Sequence, residues 1–316
     1  MARPVDALRW CRRALAAGAL ACLTTGCAAN LLGREIRVEE RPYTFRGHAL
    51  SYFAGTPVGR EAAPLPLVVF LEGDGPECQR FDAGRWTRFV RRFTGDHVLV
   101  RPRTRLSTLC GEPGFREADF LHRVDDLGAL LDALRAERPG RGVYLVGHSA
   151  GAHVAILHVA RGAPDVRGVV DLGGGLAELS RVLPEIERER HRRGAIDAEE
   201  AARRLGVVDG VVGEVRANAA STAPFWGRTY RFWGQMFFSG VDRLWRQARL
   251  PILVVHGEED VDSVPVGMVR AAREELARSG EGSVTFDVRA GLGHDVLRAD
   301  VFRAVDAWIR GVEARR

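Results

Sequence analysis

Short apolar runs bounded by turn residues alternate with longer stretches of 3.6-residue period along most of this chain. "EIRVEERPYTF" (Glu35–Phe45) and "HALSYFAG" (His48–Gly55) read as two edge strands joined near Gly47. "LPLVVFLEG" (Leu65–Gly73), "DHVLVRPR" (Asp96–Arg103), "GVYLVGHS" (Gly142–Ser149), "VRGVVDLGG" (Val166–Gly174), "LPILVVHG" (Leu250–Gly257) and "SVTFDVR" (Ser283–Arg289) predict further strands. "FLHRVDDLGALLDALRAE" predicts a long amphipathic helix with Val124, Leu127, Leu131 and Leu134 near one face, and Val301, Val305, Trp308 and Ile309 line one face of a C-terminal helix. Apolar strands alternating with helices call for a mostly parallel sheet covered on both faces.

One interval breaks the rhythm. From Leu176 to about Gln247 no strand pattern is convincing; "LPEIERERHRR" and "DAEEAARRLG" read as helices, followed by the aromatic patch "PFWGRTYRFWGQMFFSGVDRLW". It reads as a helical lid inserted into one α/β domain, with a separate binding module as the other reading. The expected organisation is a leader over 1–26, a first core part over 27–175, the lid over 176–247 and a second core part over 248–316.

The start of the chain changes the picture of where the protein works. Arg3, Arg9, Arg12 and Arg13 precede the apolar stretch from Ala14 to Thr25, whose 12 residues are too few to span a bilayer but suit a signal-peptide core. The stretch ends in "TTGC", which resembles the lipidation box of bacterial lipoproteins. That resemblance implies cleavage before Cys27, a diacylglyceryl group on Cys27, and export to the cell envelope. The periplasmic face of the outer membrane is the expected destination, because Ala28 and Ala29 offer no acidic retention signal. A plain secretory peptide and a cytoplasmic protein with an apolar arm are the other readings. The formal net charge is +5, of which +3 lies in the leader. What remains is no footprint for nucleic acid. Of five cysteines only Cys78 and Cys110 remain outside the leader and anchor. Both lie in loops after strands, and an exported chain carrying such a pair is expected to bridge them, free thiols being the alternative.

The sharpest chemical signal is "YLVGHSAGAHVAILHVA". A strand runs into Gly147-His148-Ser149-Ala150-Gly151 and then into a helix, which puts a serine at the apex of a tight turn and aims free helix N–H groups at it. A serine nucleophile needs a base, and the base needs a carboxylate. "ILVVHGEEDVDSVPV" offers Asp260 just past a strand, with Asp262, Glu258 and Glu259 as competitors. "RAGLGHDVLRAD" offers His294 among Gly291 and Gly293. His148 and His256 sit at strand ends, His122, His153, His158 and His191 lie in helical stretches, and His48 and His97 precede the nucleophile. An oxyanion would be met by the N–H of Ala150 and by one from Glu72-Gly73-Asp74-Gly75, Asp74 first and Gly75 next. Glu72 and Asp74 are alternatively a metal or substrate-amine site.

"GHSAG", "HGEED..VP" and "GLGHD", in this order, resemble the α/β-hydrolase superfamily over roughly Leu65 to Gly311. The resemblance implies the α/β-hydrolase fold, Ser149 as nucleophile, His294 as base and Asp260 as its orienter. Two departures stand out. "EG" at Glu72-Gly73 replaces the usual "HG", and Val264 lies one residue further from Asp260 than is common, which keeps Asp262 open. The fold does not fix the substrate. The expected activity is hydrolysis of a small-molecule or lipid-like carboxylic ester, with Trp226, Trp233, Phe237 and Phe238 (and Phe232) lining an acyl pocket or simply burying the lid. A peptidase or aminopeptidase and a non-catalytic binding protein are the alternatives. The chemistry calls for no cofactor and no metal, and the sequence is silent on oligomeric state.

Overall fold

The computed structural model describes residues 27–29, 35–73, 96–104, 118–174, 177–261, 263–279 and 283–316. Eleven strands occur among them: β1 (Cys27–Ala29), β2 (Glu35–Phe45), β3 (His48–Pro57), β4 (Leu67–Leu71), β5 (Val98–Arg103), β6 (Val143–His148), β7 (Val166–Leu172), β8 (Pro224–Phe225), β9 (Arg228–Thr229), β10 (Ile252–Gly257) and β11 (Val284–Arg289). The described helices are α1 (Leu121–Glu137), α2 (Ala150–Ala160), α3 (Leu179–Arg192), α4 (Ala198–Ala217), α5 (Tyr230–Phe237), α6 (Val241–Gln247), α7 (Val266–Ser279) and α8 (Ala299–Ala314).

Nine strands form one sheet in the order β1-β2-β3-β5-β4-β6-β7-β10-β11. The pairings from β5 to β11 are parallel, and those joining β1, β2, β3 and β5 are antiparallel. All five residues of β4 are buried, as a strand covered on both faces requires. Its side chains alternate. Leu67, Val69 and Leu71 join a core with Val124, Leu127 and Leu130 of α1 and Val154 of α2. Val68 and Phe70 join another with Val301, Phe302, Val305 and Ile309 of α8. This mixed, mostly parallel sheet with helices on both faces is the α/β-hydrolase architecture expected from the sequence.

Between β7 and β10 the chain leaves the sheet to form α3, α4, the two-residue hairpin strands β8 and β9, α5 and α6. α3 packs against α4, and α5 contacts both. Polar pairs at helical spacing brace the charged helices, among them Arg193 to Glu189 at 2.7 Å and Arg204 to Glu200 at 2.6 Å. No helix among the described residues is long and apolar enough to cross a membrane.

One expectation is corrected. The structure excludes a disulfide bond, so the bridge between Cys78 and Cys110 is withdrawn; both cysteines lie outside the described residues. β4 and β5, the strands before the two loops, are indeed neighbours. A bridge needs more than that: Cα atoms within about 7 Å and facing Cβ vectors, which loop sequences do not specify.

A buried histidine ties stability to pH. His97 is 2% exposed, lies 3.0 Å from Asp306 of α8, and has its pKa lowered from 6.5 to about 4, chiefly by burial, with the Asp96 charge working the other way. The unfolded chain takes up this proton near its ordinary pKa, the folded chain only near 4. Stability from this site is therefore complete above about pH 6.5 and falls as the pH drops toward 4, by up to roughly 3 kcal/mol. Urea midpoints measured across that range should fall less steeply in His97→Gln than in the parent, and parallel curves would contradict this account.

Candidate active site

The site lies where β6 ends. Ser149 follows His148 and caps α2 with φ 52° and ψ −125°, a left-handed backbone that a side chain rarely adopts. Neighbouring glycines make the turn possible. A Cβ on Gly147 would stand 2.4 Å from the Ala152 nitrogen, and one on Gly151 would stand 2.2 Å from the Leu71 carbonyl oxygen. The start of α2 is thereby pressed against the end of β4. The N–H of Ala150, the first residue of α2, is free of an intrahelical acceptor by its position.

β10 and the loop after β11 supply the acid and the imidazole. Asp260 lies three residues past β10 and is 1% exposed. Its Oδ2 accepts from His294 Nδ1 at 3.2 Å, and its Oδ1 accepts from the Ser263 N–H at 2.9 Å. Burial works to raise the Asp260 pKa, but the His294 hydrogen bond and charge, the His256 charge and the Ser263 N–H outweigh it, and the carboxyl stays below its usual value. His294 keeps a third of its side-chain surface exposed. Its loop packs closely on β10, since a Cβ on Gly257 would stand 2.2 Å from the Gly293 carbonyl oxygen. Asp262, Asp74 and Gly75 lie outside the described residues.

Ser149 and His294 both line a cavity of about 490 Å³, together with Ala150, His153 and Ser263. Leu179, Val182, Leu183 and Ile186 of α3 and Trp233 and Met236 of α5 make its apolar wall, and Trp226 and Arg228 of the β8–β9 hairpin border it. Two of the expected pocket residues are thus present, Trp226 and Trp233. Phe237 is fully buried with its ring 6.3 Å from that of Trp233, Phe238 lies under the Arg216 guanidinium, and Phe232 is buried against Phe120; none of these three lines the cavity.

Several contributors were not evident from the sequence. His256 is buried, its Nε2–H donates to the Val264 carbonyl at 2.7 Å, and it stands 3.8 Å from Asp260, so it stiffens the acid loop. Burial lowers its pKa, with the Asp260 charge opposing. Asp171 is buried and accepts from the Gly174 N–H at 3.0 Å, shaping the exit of β7 beside Ser149. Glu72, where "HG" would carry histidine, pairs with the buried Arg101 at 2.5 Å, and the Arg123 guanidinium donates to its carbonyl. A strand-end carboxylate flanked by distant arginines has no local sequence signature. Glu72 is therefore engaged in holding its own loop. Among the described residues no cluster of histidines, cysteines and carboxylates could hold a metal ion.

A family model described as serine aminopeptidase, S33, matches residues 110–300. Solved structures share the fold. Est1E from Butyrivibrio proteoclasticus aligns with a TM-score of 0.57 at 15% identity, over 87% of this chain and 99% of that one. A highly thermostable carboxyl esterase from Bacillus coagulans gives 0.60 at 17% identity, over 87% and 98%. A lipase in its open form gives 0.59 at 19% identity, over 87% and 99%. No curated protein matches the chain at the sequence level.

The glycine contacts generate a paired test. Gly151→Ala forces the Leu71 carbonyl and α2 apart and should destabilise the fold by about 1–3 kcal/mol while displacing Ser149. Gly206→Ala, in α4 where an added Cβ meets nothing within 4 Å, should stabilise by about 0.5–1 kcal/mol. Thermal unfolding of both variants checks the contrast, and similar shifts in the two would refute it.

Proposed function

Because the chain belongs to the serine aminopeptidase S33 family, within the α/β-hydrolase fold, we propose that it is a serine hydrolase that cleaves carboxylic esters through an acyl-enzyme. The observation that carries this reading is the apolar cavity onto which Ser149 and His294 both open. His294 takes the proton from the Ser149 hydroxyl as its oxygen attacks the ester carbonyl. Asp260 holds the other ring nitrogen and balances the charge the ring acquires. The N–H of Ala150, joined by that of Asp74, receives the oxyanion. His294 then passes its proton to the departing alcohol. Water repeats the sequence to release the acid.

The family's name points to a second reading, an aminopeptidase. A free amine in the pocket needs a carboxylate to meet it. Among the described residues none lines the cavity, and Glu72 is already committed to Arg101. Apolar walls of leucine, valine, isoleucine and tryptophan favour an acyl or aryl group instead. The carboxyl esterase and the lipase that share this fold lean the same way.

A panel of p-nitrophenyl esters beside aminoacyl-amides should show ester turnover well above amide turnover. Ser149→Ala and His294→Ala should each lose several orders of magnitude, and Asp260→Asn roughly 10⁴-fold, without adding when combined. Asp262→Asn should cost little. A fluorophosphonate probe should label Ser149 in the parent and nothing at that position in Ser149→Ala. Full activity in Ser149→Ala would falsify the reading, whereas a crippled Asp262→Asn beside an active Asp260→Asn would move only the acid.

The location is proposed with the function. Cleavage before Cys27 and acylation of its thiol would hold the enzyme on the envelope, with the outer membrane the favoured site. The arginines and short apolar core before "TTGC" support this. Cys27→Ser should move the protein from the membrane to the soluble fraction, and an unchanged fractionation would sink the anchor.

A further inference from the structure

The edge of the sheet opposite Ser149 has chemistry of its own. Cys27 pairs with Arg37, and Arg37 with Thr56. Gly55 faces Leu99, Val98 faces Leu67, Leu67 faces Val143, and Val143 faces Val166. Cys27 therefore stands in the row where the parallel strands begin. Ser149 follows the far end of β6, about 20 Å away along a six-residue strand.

Two cavities of about 450 and 720 Å³ adjoin along this edge and share Gly162, Ala163, Pro164 and Val166. Their rims are cationic. Arg135, Arg138 and Arg141 border the first, and Arg249 and Arg316 the second. The carboxylates among the lining residues are Asp132 and Asp165, and Arg135 engages both. Arg141 donates to the Ala63 carbonyl at 2.6 Å, which leaves its charge in place. Arg138, half-buried at the end of α1, has its pKa lowered first by burial and then by the Arg41 charge and, less, the Arg141 charge, with Tyr52 and Glu137 opposing. Glu137, the neighbouring acid, is taken up by Arg41 and Tyr52, each at 2.8 Å. No ion pair among the described residues engages Arg138, Arg249 or Arg316.

Five arginines against two side-chain carboxylates, spread along an edge rather than converging on a point, match a surface that offers many anionic oxygens. The proposed anchor residue lies in the same row. We propose that the edge where the parallel strands begin docks onto an anionic lipid surface, leaving the mouth of the Ser149 cavity open to the aqueous side. The inference goes beyond the hydrolase reading and adds a consequence to it: the ester arrives from solution rather than from the bilayer beneath.

The test uses the full chain carrying Cys27→Ser, so that no lipid tether contributes and the N-terminal segment is the same in every sample. Partition is measured onto phosphatidylcholine vesicles with and without about 30% phosphatidylglycerol. Binding should be at least tenfold stronger on the anionic vesicles and should be lost in about 0.5 M salt. Arg138→Glu with Arg249→Glu should lower it at least tenfold, with turnover of a soluble p-nitrophenyl ester unchanged. Arg249→Glu with Arg316→Glu, both exposed positions, should do the same and guards against a folding defect in the first pair. Equal binding to both vesicles, or anionic binding indifferent to both charge reversals, would overturn the proposal. So would saturable binding of inorganic phosphate without preference for anionic vesicles, which would make the edge a small-anion site. A chain that binds the anionic vesicles yet turns over no ester leaves the docking intact and sinks the hydrolase reading.

Discussion

The structure depends on how closely backbones approach one another at the end of the sheet where the parallel strands finish. Ser149 can hold its left-handed conformation only because Gly147 and Gly151 let α2 start hard against the end of β4. The same device recurs across the sheet, where Gly257 lets the His294 loop lie on the end of β10. Each contact replaces a side chain by main chain. The positions of Ser149, Asp260 and His294 are thus set by rigid strands and not by long flexible linkages, which is what a geometry-sensitive reaction requires.

Electrostatics follow from this packing. Asp260 is almost wholly buried, and an isolated buried carboxylate would protonate. It stays below its usual pKa because His294, His256 and the Ser263 N–H converge on it. His256 is placed differently from His294: it is buried, donates to the Val264 carbonyl and has its own pKa pushed down, chiefly by burial. The two histidines near this one acid differ in exposure: the His294 ring reaches the cavity, and the buried His256 ring is tied to its own loop.

Much of this was legible in the sequence because it is encoded locally. The strands expected over Val166–Gly174 and Leu250–Gly257 are found at Val166–Leu172 and Ile252–Gly257, each apolar run marking its strand to within two residues, and the turn at Ser149 follows from glycine spacing around a strand–helix junction. What was not legible depends on chain segments far apart. The ring of Phe237 looked available as an acyl contact, yet α5 turns it inward while Trp226 and Trp233 face the cavity. Amphipathic spacing ranks residues as inside or outside but does not separate a cavity wall from a lid core. Nor does the adjacency of β4 and β5 fix a bridge between Cys78 and Cys110, because paired strands constrain where loops begin and not how the loop side chains are placed. The Arg101 and Arg123 contacts at Glu72 were invisible too. They join β5 and α1 to the loop after β4, across 29 and 51 residues of chain.

A parallel sheet has two unlike ends, and this chain uses the difference. Where the strands finish, helix N-termini and glycine turns converge, the aromatic and aliphatic insertion folds over them, and the charges of Asp260, Glu72 and Asp171 are each engaged by hydrogen bonds. Where the strands begin, helices end, and the last turn of α1 carries Arg135 and that of α2 His158, in accord with the helix dipole. The apolar cavity thus lies at one end of the sheet and the group of arginines at the other. The separation is about the length of a strand, comparable to or larger than a Debye length at physiological salt. A charge at one end is consequently felt only weakly at the other. A residue at either end can therefore change with little electrostatic consequence across the sheet.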